Sequence, residues 1–575
     1  MAKYKTDQDD ILFTLNDVLN VSRHEKYGFD KNSVKEILIE QDKWVENEVW
    51  PTRESSDAEG VKMTEQGVKV PENLHKATRG YYEMGWFALG MPESVGGTPV
   101  PEALAGACRA LGIAANTAWS MYPGLTKGAF SVIRMVGDDY LKSTCIEKMI
   151  TGQWGGTMCL TEAGAGSDVG ALKSTAKPIE GKKNWYKVTG TKIFISSGES
   201  DLYENNIHLV LARTPGAEEG TKGISLFAVP RFKFTEDGSV GESNDVKCTS
   251  FEHKMGIHAS ATCVMNFGDN DNCEGYLVGK EFEGMQNMFI MMNEARLDCG
   301  MQGEAQANLA FELTRQYVNE RVQFKQEIVH HPDVKKMMLK MRAMSRGMRA
   351  LILYTADVID MAHEDSKYEN LLGFLTPLCK SFCSEQGFNV SVDAVQAHGG
   401  YGYCTEYGVE QFVRDTKIAT IYEGTNGIQA IDYLTRKVLK DQGKTLTEVM
   451  EMITSDLSKS EAEFATQKTQ FERALGAAQK AIGFITEKAQ AKNMSMTLQA
   501  AKDFLDLSAH LVVAWRLLSA ANVAQSQLTS GEGNKEYLES KIVDYKIYCS
   551  QYLPQVWAHS KAIIEAEEDF SLLSV

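Results

Sequence analysis

The chain has little of what several protein classes require. No stretch of its 575 residues approaches the roughly 18 to 20 consecutive apolar residues of a membrane span, and the opening MAKYKTDQDD turns acidic where a signal peptide turns apolar. A cytoplasmic protein with no stable membrane insertion is therefore expected. Basic residues are in deficit: 60 Lys and Arg stand against 77 Asp and Glu, for a net charge of −17. No general positive field exists to draw in nucleic acid or anionic lipid. The 11 cysteines are scattered with no C-x-x-C, and the nearest pair, Cys379 and Cys383, has the spacing of one helix face, so reduced thiols are the expectation. H-E-x-x-H is also missing, and His253, His258 and Cys263 lie in a strand-like loop where they would face different ways, so no metal is expected.

Proline thins out too, since only Pro554 of the 12 prolines follows Pro377. The last third is thereby free to be helical. What is present is ordinary globular material, 43% hydrophobic and 24% charged, which excludes disorder as the main theme and suits two to four domains at about 150 residues each.

Apolar residues recur at three- and four-residue spacing from about 28 to 150, the helical period, and predict an all-helical region. Between about 155 and 275 the texture changes to β-branched and aromatic runs such as NWYKVTGTKIFISSG and GISLFAVPRF, broken by Gly, Asn and Asp, which predicts a compact β domain. The helical period returns from Gly284 to about 440 in segments that suit a bundle. Three further amphipathic stretches, roughly 445–490, 494–528 and 535–568, form a mildly acidic tail that must bury its stripes, for example Phe471, Leu475, Ala478 and Ile482, against the main body or another subunit. The expected organisation is α+β but mainly α: a helical domain at 1–154, a β-barrel-like middle domain at 155–280, a four-helix bundle at 281–442 and a helical extension at 443–575.

Four motifs carry chemistry. In RDTKIATIYEGTNGIQAIDYLTRK, Glu423 stands at a break in the helical pattern made by Gly424, followed by Thr425 and Asn426. A carboxylate at such a joint either turns into a cavity, where desolvation makes it a stronger base for a carbon acid, or sits solvated in a surface turn. In MCLTEAGAGSDVGALKSTA the glycines read G-x-G-x-x-x-G and lead into a β region, which disfavours a dinucleotide fingerprint. A loop whose small residues let a ligand approach fits better, with Thr161, Ser167 and Asp168 as hydrogen-bonding groups; a plain flexible loop is the alternative. KIFISSG is a strand end whose alternation would set Phe194 and Ser196 on one face, suited to a planar heterocycle or simply ordinary. ERVQF offers Arg321 to a pyrophosphate, and AVQAHGGYGY offers Gly399-Gly400 for close backbone contact. The methionines Met285, Met288, Met291 and Met292 read as bundle core.

Taken in order, TEAGAGSD, KIFISSG, the Arg321 segment, QAHGGYGY and IYEGTNGIQ resemble the acyl-CoA dehydrogenase family of flavoproteins over about 60–440. DDILFTLNDVL, KMGIHASATCVMNF, the NG after EGT and the long tail are more similar to its 3-methylmercaptopropionyl-CoA dehydrogenase branch. The resemblance implies FAD held between the domains and across a subunit interface, in a homodimer or homotetramer. It implies FAD-dependent α,β-dehydrogenation of an acyl-CoA to the 2-enoyl-CoA, with electrons passed to an electron-transfer flavoprotein. Glu423 would take the α-proton while hydride leaves for flavin N5. Thr161 and Ser196, the latter in place of the usual Thr, would line the flavin. Arg321, Gln396 and Gly400 would reach its pyrophosphate and adenine side, with Thr425 and Asn426 as the pair after the base, and Ser167 and Arg296 would contact CoA. Two departures stand out: Lys325 replaces the usual Gly of R-x-x-F-G, and Gly427 the usual amide-bearing residue. An acyl-CoA oxidase on the same scaffold is the alternative enzyme, although the ending FSLLSV is no peroxisomal address. A DNA-associated alkylation-response flavoprotein is the alternative binder, against which the acidic balance speaks.

Overall fold

The computed structural model describes residues 3–235, 239–460 and 462–566; the ending FSLLSV lies outside them. The chain forms two compact units, one comprising Gln41–Val100 and Ala115–Ala295, the other Met1–Glu40, Pro101–Ala114 and Arg296–Val575.

The first unit opens with a correction. The region expected to be wholly helical contains a hairpin, β1 (Lys62–Thr64) with β2 (Gly67–Lys69). Gly67 has φ +113°, and the tight turn it permits, closed by the Thr64 hydroxyl on the Gly67 carbonyl, breaks the helical period over too few residues for periodicity to register. The middle of the unit is a sheet built from β3 (Trp154–Cys159), β4 (Thr175–Pro178), β5 (Trp185–Ser196), β6 (Asn205–Arg213) and β7 (Ile224–Pro230). A small hairpin, β8 (Phe232–Phe234) with β9 (Val240–Ser243), lies outside that sheet, and β10 (Val246–Phe251), β11 (Thr262–Phe267) and β12 (Glu274–Leu277) complete it. Its order is β10-β11-β5-β12-β7-β6-β3, with β4 bridging β5 and β6, so β5, β12, β7, β6 and β4 close on themselves as a barrel. The runs IHLVLA and ISLFAVP are buried throughout, as strands covered on both faces must be. The helix Thr117–Val136 covers β3 so closely that a side chain at Gly156 would meet the Ala129 methyl at 2.5 Å. Met291 packs on Gly128 of that same helix, so this member of the methionine cluster packs within this unit.

The second unit is helical. Its long helices include Gly284–Glu320, which starts in the first unit, then Pro332–Glu364, Ser384–His398, Ala465–Gln490, Ala501–Ser530 and Lys535–Gln551. The tail is folded onto the bundle: a side chain at Gly347 would meet Val513 at 2.6 Å, and Asp544 binds Arg342 at 2.6 Å and Arg346 at 2.8 Å. The predicted stripe on the helix Ala465–Gln490 keeps Phe471, Leu475 and Ala478 buried but passes to Ala481 and Ile485, leaving Ile482 half-buried, because a 3.6-residue period drifts around a long helix. Ala501–Ser530 is long enough, and in one 18-residue stretch apolar enough at a mean hydropathy of 1.3, to cross a membrane by composition, though it holds no long unbroken apolar run; 89% of that stretch is buried in protein, so it is a core helix.

A chain ending at residue 442 should lose this cover. Removing the cover from Arg346 and Gly347 exposes buried apolar and charged surface together, and light scattering should report aggregation or a changed mass. A soluble, fully active 1–442 protein would show the tail to be dispensable.

Candidate active site

Glu423 lies between the short helix Glu410–Lys417, with its 3-10 continuation to Thr420, and the helix Asn426–Asp432. Its φ is +56° and that of Gly424 is +85°: two consecutive left-handed residues turn the chain sharply. Such a conformation costs a non-glycine residue roughly 1 to 2 kcal/mol, strain of the kind concentrated at functional sites. Thr425 then caps the new helix, its hydroxyl accepting from the Ile428 N–H at 3.2 Å. Gln429 donates back to the Glu423 carbonyl at 3.4 Å. Glu423 is half-buried as a residue, and surrounding protein desolvates its carboxyl. Desolvation pushes its pKa upward, and the cations Lys380 and Arg296 pull against that rise.

Lys380 was not legible as a site residue. It lies in a single π-helical turn, Cys379–Cys383, that follows Pro377 in the preceding helix. The ring at Pro377 removes a backbone donor, and a π turn re-pairs the groups around such a gap. The Lys380 side chain is fully buried, and burial lowers its pKa to about 8. Its one sequence signal is isolation, as the sole charged residue between Glu369 and Glu385.

The π turn is held by backbone contact. A side chain at Gly300 would meet the Cys379 carbonyl oxygen at 2.7 Å; one at Gly303 would fall on the Cys383 carbonyl oxygen, and one at Gly387 on the Gly303 carbonyl oxygen. Only hydrogen fits at these three positions. Arg296 and Cys299 on the same helix are thereby brought near the base. Arg296, expected at CoA, pairs with Asp432 at 3.6 Å and adds its charge to the field on Glu423.

In the other unit the backbone of Thr161 is tied to β5 through the Ile193 N–H at 2.9 Å, three residues from Ser196. The simple alternation expected for KIFISSG does not hold. β5 carries an irregularity opposite Cys263–Met265, and Phe194 has φ +59°, so a bulge resets the faces. The bulge leaves Phe194 59% exposed at the strand end, with Thr161 and Ser196 half-buried and the Ser197 hydroxyl buried with no hydrogen-bond partner. An exposed ring beside spare hydroxyls fits a planar heterocycle. Ser167 and Asp168 are exposed on the adjoining loop, which is anchored by Glu162. That carboxylate accepts from Lys192 at 2.8 Å, Ser174 N–H at 3.0 Å and Lys173 N–H at 2.6 Å. Neither Glu162 nor Lys192 was singled out by sequence. Among the described residues no His, Cys, Asp and Glu cluster could hold a metal; His258 instead lies 3.1 Å from Asp57.

A third cluster sits on the helical unit. The Arg321 guanidinium lies 5.1 Å over the Tyr401 ring, and Gly399 and Gly400 are exposed, with open space where side chains would begin. Gln396 is exposed nearby in sequence. Lys325 forms the second turn residue of a hairpin, β13 (Val322–Gln323) with β14 (Gln326–Glu327), at φ +69°, the left-handed conformation glycine adopts freely. The fold there accommodates the departure from Gly.

A barrel-like middle domain, a following helical bundle and a strained glutamate at a helix start define a class, and the chain belongs to the acyl-CoA dehydrogenase family. The family's middle domain matches residues 157–270 and its C-terminal domain 283–438, while the acetyl-CoA dehydrogenase C-terminal-like family matches 445–573. The chain is 38% identical to 3-methylmercaptopropionyl-CoA dehydrogenase of Ruegeria pomeroyi over 91% of each chain. It is 32% identical to the broad-specificity linear acyl-CoA dehydrogenase FadE5 of Mycobacterium tuberculosis, covering 99% of this chain and 98% of that one. In fold it is similar to an acyl-CoA dehydrogenase from Bacillus anthracis complexed with FAD, at a TM-score of 0.76 and 22% identity, covering 95% and 90% of the two chains.

Gly303→Ala tests the backbone contact. A methyl group there cannot coexist with the Cys383 carbonyl oxygen, so the helix must move, at a cost of roughly 1 to 3 kcal/mol. A lower thermal midpoint is expected, and an unchanged one would mean the contact is loose.

Proposed function

We propose that this protein uses FAD to dehydrogenate an acyl-CoA thioester between its α and β carbons, yielding the 2-enoyl-CoA. The observation that carries this reading is Glu423, a strained, desolvated carboxylate of raised proton affinity in a chain of this family. Glu423 takes the α-proton, which the thioester carbonyl makes acidic. FAD, when bound, accepts the hydride that leaves the β carbon. The barrel-end residues Thr161 and Ser196 hold the flavin ring by hydrogen bonds, and Phe194 offers it an apolar surface. Arg321 binds the pyrophosphate, Gly400 lets the backbone approach it, and Gln396 supplies an amide on the adenine side. Thr425 and Asn426 hold the base in its turn, Ser167 meets CoA, and Arg296 supplies positive charge beside the base.

Phe324 and Tyr403 are 89% and 87% exposed on the segments that carry Arg321 and Gly400, which supports an assembly of two or four copies meeting on this face. Reoxidation by an electron-transfer flavoprotein, a cytoplasmic location and domain limits at 154/155, 280/281 and 442/443 belong to the same reading. 3-Methylmercaptopropionyl-CoA and straight short-chain acyl-CoAs are the substrates to try first. Their bleaching of the bound flavin tests the activity, and comparing reoxidation by air and by electron-transfer flavoprotein separates a dehydrogenase from an oxidase.

Glu423→Gln should retain flavin yet bleach about 10² to 10⁴ times more slowly. A base works only when unprotonated, and its pKa is raised. The wild-type bleaching rate should therefore climb with pH and level off above an inflection higher than the ordinary glutamate value of about 4.3. Near-normal bleaching by Glu423→Gln would place the base elsewhere.

Arg321→Ala should weaken flavin retention about tenfold to a hundredfold, since a charge-assisted hydrogen bond to phosphate contributes roughly 1.5 to 3 kcal/mol. Equilibrium dialysis measures this, and unchanged flavin content after extensive dilution would put Arg321 outside the site.

A further inference from the structure

A buried ammonium needs a partner, because removing it from water without one costs several kcal/mol. Lys380 is 0% exposed. Its hydrogen bond is to a neutral group, the Asn426 side-chain oxygen at 3.0 Å, so the bond does not cancel its charge. Three groups act on it electrically: Cys299, Glu423 and Arg296. The Cys299 thiol is kept protonated by burial and is neutral. Arg296 has the same sign as Lys380 and its own partner in Asp432 at 3.6 Å. Glu423 is therefore the carboxylate whose charge acts on Lys380, and Lys380 acts on Glu423 in turn.

The link between them is mechanical as well. Asn426 lies three residues after the base, at the first position of the helix Asn426–Asp432. Both ends of its amide are used on the π turn and the residue after it. The oxygen accepts from Lys380 and, at 3.3 Å, from the Ser384 hydroxyl; the nitrogen donates to the Ser381 carbonyl at 3.1 Å and to the Ser384 hydroxyl at 3.2 Å. A regular α-helical turn would rotate Lys380 and shift the Ser381 carbonyl, so the clip depends on the π expansion. Side chains fastened at both ends in this way hold a reacting group to a narrow range of positions.

We propose that Lys380 is a positioning residue for Glu423: its buried ammonium, clipped to Asn426 three residues after the base, fixes the turn that carries the carboxylate and sets positive charge near it. This deepens, and rests on, the assignment of Glu423 as base. Lys380 itself need not touch substrate. The other groups around the base are Arg296, Asp298 and Cys299 on the helix Gly284–Glu320, Tyr422 beside it, and Asp432 and Arg436 beyond it. Tyr422 stays neutral, since burial raises its pKa well above the usual value, and its hydroxyl donates to Gln302. Asp432 lies between two arginines, Arg296 and Arg436, so Lys380 is the cation of this set with no other carboxylate acting on it.

The test is a double-mutant cycle on the flavin-loaded protein, read first by thermal midpoint and needing no substrate. Lys380→Met removes a cation near Glu423 and should lower the midpoint by roughly 2 to 4 °C at pH 7, below the Lys380 pKa of about 8. In a Glu423→Gln background the same substitution should cost less than half as much, because the charge to be balanced is gone. The difference should close as pH falls and Glu423 takes up its proton. The second reading is the pH at half-maximal flavin bleaching, with 3-methylmercaptopropionyl-CoA and butyryl-CoA as probes. It should rise by about one unit or more in Lys380→Met and return toward wild type in Lys380→Arg, which keeps the charge. Asn426→Ala keeps both charges and breaks the clip; it should slow bleaching with little movement of that pH. If Lys380→Met does not fold, Lys380→Gln takes its place in the cycle and Asn426→Ala tests the clip. Midpoint losses that simply add, together with an unmoved bleaching pH, would overturn the proposal. Rapid bleaching by Glu423→Gln with the midpoint coupling intact would instead leave the pairing standing and remove Glu423 as base.

Discussion

The helix Gly284–Glu320 touches the segment from Cys379 to Gly387 backbone against backbone, and the chemistry proposed for the helical unit depends on that contact. Gly300, Gly303 and Gly387 leave no room for a side chain. Because the approach is made through main-chain atoms, it tolerates no rotamer adjustment and fixes the spacing of the two elements. Arg296 and Cys299 ride on one element and Lys380 on the other, so the field at Glu423 follows from three hydrogens where methyl groups would otherwise stand. The π turn belongs to the same constraint, since it lets Lys380 and the Ser381 carbonyl reach Asn426 while the helix on either side continues.

A second constraint is electrical and ties together the ends of the chain. Asp10 is 0% exposed and is bound by Lys541 from the tail and by Arg349 from the bundle, the latter at 2.8 Å. Arg346 reaches both Asp7, at 2.9 Å, and Asp544, at 2.8 Å. Arg349 also meets Glu304, which burial holds up to a pKa of about 7. Ion pairs this deep gain little net stability over apolar packing, but leaving one partner alone is expensive. They therefore make the amino-terminal segment, the bundle and the tail mutually dependent. The cations hold the Asp10 carboxyl well below its usual pKa. That contribution is present above the ordinary aspartate range and is lost as pH falls through the depressed value, so acid should loosen this junction.

Much of the fold was legible because its signals are local. The β texture between 155 and 275 marks β3 to β12, and the tail's apolar stripes mark helices that must bury them. The break at Glu423-Gly424 was legible as well, since glycine after a helical run allows a left-handed turn; the turn is there, with both residues at positive φ. Other features lay beyond periodicity. The bulge at Phe194 depends on its pairing with β11, and the β1–β2 hairpin is shorter than any period can reveal. Lys380 sits in an apolar stretch where a lone lysine normally snorkels to the surface; its complete burial arises from packing by residues about eighty positions earlier.

The amino-acid sequence by itself determined the succession of helical, β and helical regions, the family membership carried by five ordered motifs, and which carboxylate stands at a strained joint, because each rests on residues adjacent in the chain. Tertiary structure decided what surrounds that carboxylate: which cations face it, which amide clips its loop, and which glycines permit the approach. The physical reason is that charge and desolvation act through space over a few ångströms, and Glu423, Lys380 and Arg296 are separated by 43 to 127 residues along the chain and become neighbours only once the helices pack.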